Sequence, residues 1–360
     1  MSETVLAGAD ALLDFTRQVV SAMGAGAEAA DEVARHLVNA NLSGHDSHGV
    51  LRLTQYVGEL DRGELQPGAE TRLVRESAVT ALLDAGRGFG QHSTMVASRW
   101  VAARAREHGL AAAAVRHSMH IGRLGEYTER MAGEGLVGIV TVGVAGPGSG
   151  TVAPFGGAAR FLGTNPWSVG VPAAGRPPFV FDAATSTIAE GKARLALAKG
   201  TEVPPGTLRD VEGRPTRDPA LLYAGGSLTG LGGEVAGHKG FGLSLASALV
   251  GGLAMIQDTE PTTGRTMRPP EFWGPRLAGV FLVAIAPSAF GDADDYLGRV
   301  AEVLDALAEA PPAPGSERVL VPGDPERASR ERRQREGIPL PAATWAELGG
   351  IAERFKLSLP

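Results

Sequence analysis

The stretch Gly44–Tyr56, GHDSHGVLRLTQY, puts an imidazole, a hydroxyl and a fixed cation within a few residues of one another. If the segment after Gly49 is helical, His48, Arg52 and Tyr56 recur every four residues and share one face, with Ser47 beside them. An imidazole can exchange the proton of a carbinol, and the planar fork of a guanidinium can hold a carboxylate bidentately. The combination points to a 2-hydroxy or 2-oxo acid, with His48 as acid/base and Arg52 as carboxylate clamp. It lacks a hydride carrier, which no side chain can supply.

Composition limits what surrounds this stretch. A chain of 360 residues has room for two domains and a large buried core, and 43% hydrophobic with 21% charged residues is ordinary for a soluble globular protein. A net charge of -6 gives no general attraction to nucleic acid or to an anionic membrane, so a small-molecule substrate is the expectation. The absence of cysteine excludes disulfides, thiolate nucleophiles and thiolate zinc sites, and fits a cytoplasmic location. The opening MSETVLAGADALLDF has no basic residue ahead of its apolar positions and does not read as a secretory signal. The longest apolar run, Phe241 to Ile256, is broken by glycine and shorter than the roughly 20 residues of a membrane span, so it reads as a buried helix. The basic run Arg327 to Arg335, interleaved with Glu331, reads as a solvated helix face.

Apolar spacing predicts a helical hairpin from Ala9 to Leu42, parted at Gly24 to Gly26. The signature helix follows, then a strand at Ala78 to Leu83 and a helix at His92 to His108. Strands at Ala111 to Arg116 and Val137 to Val144 flank a helix over Gly125 to Gly133. Thr201 to Gly226 and Thr259 to Pro275 read as loops, and Phe281 to Ile285 as a last strand. Helices are expected at Ala293 to Glu309, Pro325 to Glu336 and Thr344 to Lys356, the last opened by a Thr344/Glu347 capping box. The expected architecture is α/β, mixed α+β. Residues 1–75 together with 292–360 would form a helical domain carrying the acid/base motif, and 76–291 a central α/β domain.

Several other clusters could bind a ligand. Gly148-Ser149-Gly150-Thr151-Val152-Ala153 nominally fits a dinucleotide fingerprint after a strand, but Pro154, Gly156 and Gly157 follow where a helix must start, and no acidic residue stands about 20 positions on. Asp182-Ala183-Ala184-Thr185-Ser186-Thr187 offers hydroxyls ahead of a helix at Ile188 to Lys199, with a Thr187/Glu190 capping box, and reads either as an anion site or as a plain capped turn. Gly237 to Gly242 carries Lys239 as a point charge just before the apolar helix. Gly163-Thr164-Asn165-Pro166 reads as a turn whose hydroxyl and amide could face a ligand. The pairs His45/His48 and His117/His120, with Asp46, could together bind zinc or iron in a metal-dependent hydrolase, or serve as ordinary polar histidines.

GHDSHGVLRLTQY, HIGRLGEY, PFGGAARFLGTNP, FDAATSTIAEGK, GHKGFGL and VPGDPE occur in the order and spacing of the malate/L-lactate dehydrogenase type-2 family, which the chain resembles from about residue 9 to about residue 355. That family includes ureidoglycolate, sulfolactate, diketogulonate and piperideine-carboxylate oxidoreductases. The resemblance implies a dehydrogenase or reductase using NAD or NADP, with a non-Rossmann cofactor domain and a homodimeric state. It implies His48 as proton donor/acceptor, Ser47 as its hydrogen-bond partner, Arg52 as the clamp, and Thr164 and His120 as substrate contacts. Cofactor contacts are implied for His120, Gly122, Arg123 and Leu124, for Asp182, Ala184, Thr185 and Ser186, for His238 and Lys239, and for Gly323 and Asp324; no metal is implied. The chain departs from the family at His238 and Phe241, where tyrosines are common, and at Met119 and Ile121 beside the second-motif histidine. Lys192 stands where imine-reducing relatives have aspartate, which resembles the hydroxy-acid branch and leaves a cyclic-imine reductase as the alternative.

Overall fold

The chain begins with strand β1 (Thr4–Ala7), helices α1 (Ala9–Ala22) and α2 (Ala27–Leu42), a 3-10 turn at Asp46–His48 and helix α3 (Arg52–Asp61). There follow β2 (Arg72–Glu76), β3 (Thr80–Asp84), α4 (Gly90–His108), β4 (Leu110–Arg116), α5 (Gly125–Gly133), β5 (Val137–Ala145), β6 (Trp167–Val171), β7 (Phe179–Ala183) and α6 (Glu190–Lys199). Short elements β8 (Leu208–Arg209), β9 (Pro215–Thr216), α7 (Ala220–Tyr223) and β10 (Ser227–Leu228) lead to α8 (Gly233–Gly251) and β11 (Leu277–Ile285). The chain closes with α9 (Ala293–Ala308), α10 (Asp324–Glu336), β12 (Ile338–Pro341) and α11 (Ala342–Phe355). This computed structural model describes residues 4–256 and 277–360, so the expected loop Thr259 to Pro275 lies outside the described residues.

The architecture is mixed α/β. Seven strands run in the order β2-β3-β4-β11-β5-β6-β7, with β2 antiparallel and β4 parallel to β3. The chain divides into two compact units, residues 1–138 with 169–181 and 283–360, and residues 139–168 with 182–282.

In the first unit the helical hairpin forms as expected. Leu12, Phe15 and Val19 line one face of α1 at helical spacing and pack with Leu37 of α2, Leu53 and Tyr56 of α3, Ile338 and Leu340 of β12, and Leu348 and Ile351 of α11. Truncating any of these buried leucines to alanine costs about 2–5 kcal/mol. The chain ends meet directly, because β1 pairs antiparallel with β12, Thr4 opposite Pro341. That pairing had no sequence signal: IPLP carries two prolines, which a strand tolerates only at an edge.

Two local expectations fail. Helix α11 starts at Ala342 behind Pro341 without a side-chain cap, and Glu347 accepts instead from the Thr54 hydroxyl at 3.0 Å. The basic run is also only half solvated. Arg327 pairs with Asp324, Arg330 with Glu129, and Arg333 with Asp46, while Glu331, Arg332 and Arg335 stay exposed. Docked arginines of this kind fasten a helix and leave little charge for a polyanion.

In the second unit Leu162, Leu208, Leu222, Leu228 and Ala248 build a separate core, to which the expected loop Thr201 to Gly226 contributes through β8 and α7. The apolar helix is not fully buried. Helix α8 begins eight residues earlier than the apolar run, and Leu243 and Leu249 on it, with Leu253 just beyond it, are exposed in the single chain.

His36, on α2, is buried beside the ring of Tyr127, and burial, followed by the charge of Arg123, lowers its pKa to about 3. Its folded pKa lies below its unfolded value of about 6.5, so the unfolded chain takes up the extra proton first, and stability present above pH 6.5 is lost as the pH falls toward 3. His36→Gln keeps an acceptor while removing the titration. Urea unfolding between pH 5 and 7 should show a shallower rise of stability with pH, by at most about 1.4 kcal/mol per pH unit; an unchanged slope would mean that His36 is not held neutral.

Candidate active site

The acid/base motif is positioned by a buried carboxamide. The side-chain oxygen of Asn41, at the end of α2, accepts the Val50 N–H at 2.9 Å, and its nitrogen donates to Asp46 at 2.7 Å. A β-carbon on Gly49 would lie 2.1 Å from that oxygen, so only glycine passes here. Asp46 also takes both terminal nitrogens of Arg333, at 2.6 and 3.0 Å, and His45 meets Glu326 at 3.0 Å. The backbone therefore kinks, and Ser47 and His48 lie in the 3-10 turn ahead of α3. The expectation of one continuous helical face is corrected: Arg52 opens the helix, and only Arg52 and Tyr56 lie on it.

Arg52 is held from two sides. Its Nε donates to the Ser47 carbonyl at 2.7 Å, and Nη1 to the Gln55 side chain at 2.6 Å, while Gln55 in turn donates to Glu59 at 2.8 Å. Ser47 thus acts through its backbone. Its hydroxyl makes no hydrogen bond with His48 in this structure, and His48 Nδ1 stands 3.2 Å from Nε2 of His120. The two imidazoles lie nearly parallel, with centroids 5.4 Å apart. His120 Nδ1 meets the Tyr56 hydroxyl at 2.8 Å, and the buried Gln91 of α4 donates to that same hydroxyl.

His120 reaches this position on a braced loop. Parallel pairing puts Asp84 of β3 beside Arg116 of β4, and its carboxylate accepts from Arg116 at 2.9 Å and contacts His117 at 3.1 Å. These contacts, with the Gly86 N–H, hold Asp84 well below the usual carboxylate range despite burial. His117 is left-handed, with φ of 51°. Farther on, the Arg123 N–H donates to His36 at 2.9 Å, and a β-carbon on Gly122 would lie 2.2 Å from the same ring nitrogen.

Burial first, then the charges of Arg52, His45 and Arg123, lower the His48 pKa to about 3. His120 is lowered too, by burial first and then by Arg52. Burial pushes the Tyr56 phenol up. Both rings are therefore neutral near pH 7.

The four histidines do not form one metal site. His45 goes to Glu326, His117 to Asp84, and His48 and His120 use facing nitrogens on each other. Among the described residues no group of three His, Cys, Asp or Glu side chains converges.

Other expected contacts are distributed as follows. In the first unit Arg123 is buried, with its guanidinium toward Ser43 and Glu129, and Leu124 is buried behind it. Gly323, at φ of 101°, caps α10, where Asp324 accepts the Val321 N–H at 3.0 Å. In the second unit the Thr185 hydroxyl donates to the carbonyls of Thr164 and Asn165, at 2.9 and 3.0 Å, and Ser186 to that of Ile188 at 2.8 Å. Thr187 bonds Thr229, so no capping box forms with Glu190, and α6 starts at Glu190 behind Ala189. Asp182 and Ala184 flank this segment half-buried. The Asn165 amide is spent on Val144 and Ser244 and cannot face a ligand. His238 and Lys239 lie within α8 rather than before it. Both are exposed, His238 edge-on to Phe155 at 5.8 Å. Gly148 and Gly150 lead into bridges of Val152 to Leu162 and Leu228 and not into a helix.

The sequence reading missed Asn41, Gln91, Asp84 and Arg333. Asp84, Gln91 and Arg333 lie far along the chain from the residues they hold, while Asn41 is near Asp46 and Val50 but carries no spacing signal.

The comparisons agree with one another. A family model for malate/L-lactate dehydrogenase matches residues 8–349. The chain is 37% identical over 354 residues to hydroxycarboxylate dehydrogenase B of Escherichia coli (strain K12), covering 96% of this chain and 93% of that protein. It is 33% identical to the Delta(1)-pyrroline-2-carboxylate reductase of Ancylobacter novellus, covering 94% and 95%. The crystal structure of malate dehydrogenase from Entamoeba histolytica superposes with a TM-score of 0.89 at 26% identity, covering 99% of this chain and all of that one. With the family model spanning nearly its whole length, the chain belongs to the malate/L-lactate dehydrogenase family and is an oxidoreductase acting on CH–OH groups.

Proposed function

We propose that this enzyme interconverts a small 2-hydroxy acid and its 2-oxo acid using NAD or NADP, with His48 as acid/base and Arg52 as carboxylate clamp. The observation that carries the reading is the pairing of a neutral imidazole with a guanidinium fixed at two of its nitrogens, on consecutive turns of one segment. The donor set fits a dinucleotide in one respect. Lys239 is exposed and makes no ion pair among the described residues, as suits a phosphate contact, and His238 beside it offers a ring edge. Gly122, Arg123, Leu124, Gly323 and Asp324 in the first unit, and Asp182, Ala184, Thr185 and Ser186 in the second, are proposed as cofactor contacts made through backbone and packing, since the hydroxyls and the Arg123 guanidinium are already engaged. A bound nicotinamide would supply the hydride acceptor or donor.

Arg52 fixes the acid end so that C2 is held still, and positioning of this kind supplies several kcal/mol of a barrier. His48 Nδ1 is occupied by His120, so Nε2, which makes no hydrogen bond among the described residues, is the nitrogen left to meet the substrate oxygen. In reduction the Nε2 proton faces the oxo oxygen, and in oxidation Nε2 takes the hydroxyl proton once the ring holds its own proton on Nδ1. A carboxylate bound at Arg52 offsets the cation that depresses His48, so protonation is easier in the complex than in the free enzyme. Thr164 and His120 are each proposed as further substrate contacts. The exposed Leu243 and Leu249 of helix α8, and Leu253 just after it, support a homodimer.

A spectrophotometric panel of 2-hydroxy acids, 2-oxo acids and cyclic imines, run with both cofactors, tests the assignment; turnover of cyclic imines alone would select the reductase alternative. His48→Ala should lower turnover by orders of magnitude, and Arg52→Ala should mainly raise KM. Unchanged turnover in His48→Ala would transfer the acid/base role to His120. Because His48 is held down to about 3, kcat/KM for oxidation should show no inflection near pH 6.5 and should fall only below about pH 4. A single break at 6.5, absent in His48→Ala, would contradict a neutral resting ring.

A further inference from the structure

Four side chains from four separate elements form an unbranched hydrogen-bonded line, Gln91 to Tyr56 to His120 to His48. The direction of each bond is fixed by its first member. The Gln91 contact is made by its amide nitrogen, which can only donate, so the Tyr56 oxygen accepts. The phenol has one proton, and its remaining partner is His120 Nδ1, so that nitrogen accepts. A neutral imidazole that accepts at Nδ1 carries its proton at Nε2. That proton points at His48 Nδ1, which must accept in turn, leaving the His48 proton on Nε2.

We propose that Gln91 is a positioning residue that sets the tautomers of two histidines in series, so that the resting enzyme presents His48 Nε2–H to its substrate. The proposal rests on the acid/base reading of His48 and names the state in which that ring waits. With Nε2–H outward, the ring meets the acceptor oxygen of a 2-oxo acid as a donor, as neutral imidazoles do when they polarise a carbonyl. Reversing it would require both imidazoles to carry their protons at Nδ1, with His120 donating to the Tyr56 oxygen. The phenol proton would then point at the Gln91 NH2, two donors facing each other.

Long-range nitrogen–proton correlation spectra of the full chain labelled with nitrogen-15 at histidine read the tautomers directly. Both His48 and His120 should show the Nε2–H pattern at pH 7. In Gln91→Met, which has similar bulk and no donor, the Nδ1–H form of both rings should become populated together, with turnover of a 2-oxo acid falling about tenfold or more and KM unchanged. Nδ1–H at either ring of the unsubstituted protein overturns the proposal, and so do unshifted tautomers in Gln91→Met. If Gln91→Met fails to fold, Tyr56→Phe removes the middle link, and His120 should then lose its preference; retention of Nε2–H alone there would equally refute it. The spectra do not depend on turnover. A protein with the assigned tautomers and no activity in the substrate panel would reject the dehydrogenase reading alone, and an active one with the opposite tautomers would reject this inference alone.

Discussion

The contact between the Asn41 carboxamide and Gly49 is what the rest of the first unit's chemistry depends on. A 3-10 turn of three residues has no stability of its own, because it fixes several dihedrals for very few hydrogen bonds. Its shape is dictated from outside, by Asn41 on one flank and by the Asp46–Arg333 pair on the other. Each such buried hydrogen bond contributes about 1 kcal/mol net, but leaving either partner unmet costs about 1–3 kcal/mol, so the set is held together by what its failure would cost. A glycine at 49 is the geometric condition for that set.

The same turn brings a neutral ring among cations, and this gives the site its electrostatic character. Arg52, His45 and Arg123 all disfavour a proton on His48, and Glu129, which burial would raise, is instead lowered through its contact with Arg330. Imidazoles kept uncharged beside fixed guanidinium groups leave positive potential without a competing mobile proton. An anionic substrate entering such a place regains part of its desolvation cost from charges that are already oriented. The anchoring of Arg52 by Ser47 and Gln55 matters for the same reason, since little side-chain freedom remains to be lost when a carboxylate arrives.

Much of this was legible from residue types and spacing, and the losses have identifiable causes. Helices α1, α2 and α9 announce themselves because their apolar period is long and uninterrupted, α10 by its run of helix-forming Arg and Glu behind Pro325, and β3, β4, β5 and β11 because they are apolar runs bounded by glycine or proline. His48 and Arg52 are close in sequence, so their association survives even though the helix between them was drawn one turn too long. The capping boxes at Thr187 and Thr344 failed for a different reason. Both hydroxyl–carboxylate pairs found stronger tertiary partners, in Thr229, Tyr223 and Thr54. Local capping signals describe what a segment can do alone, and tertiary bonds outbid them wherever another polar group is closer. Gln91 and Asp84 were out of reach of any such reading, since nothing in a single sequence says which distant residue will stand behind an imidazole.

The dispersal of the polar line also explains why its direction is robust. Gln91 belongs to α4, Tyr56 to α3, His120 to the loop after β4 and His48 to the 3-10 turn, and each of these elements is fixed by packing that has nothing to do with the line itself. Neither imidazole can turn without giving up the nitrogen it faces on the other ring. Polarity is therefore a property of the assembled core rather than of any one residue, and a ring nitrogen at the end of the line inherits an orientation decided three side chains away.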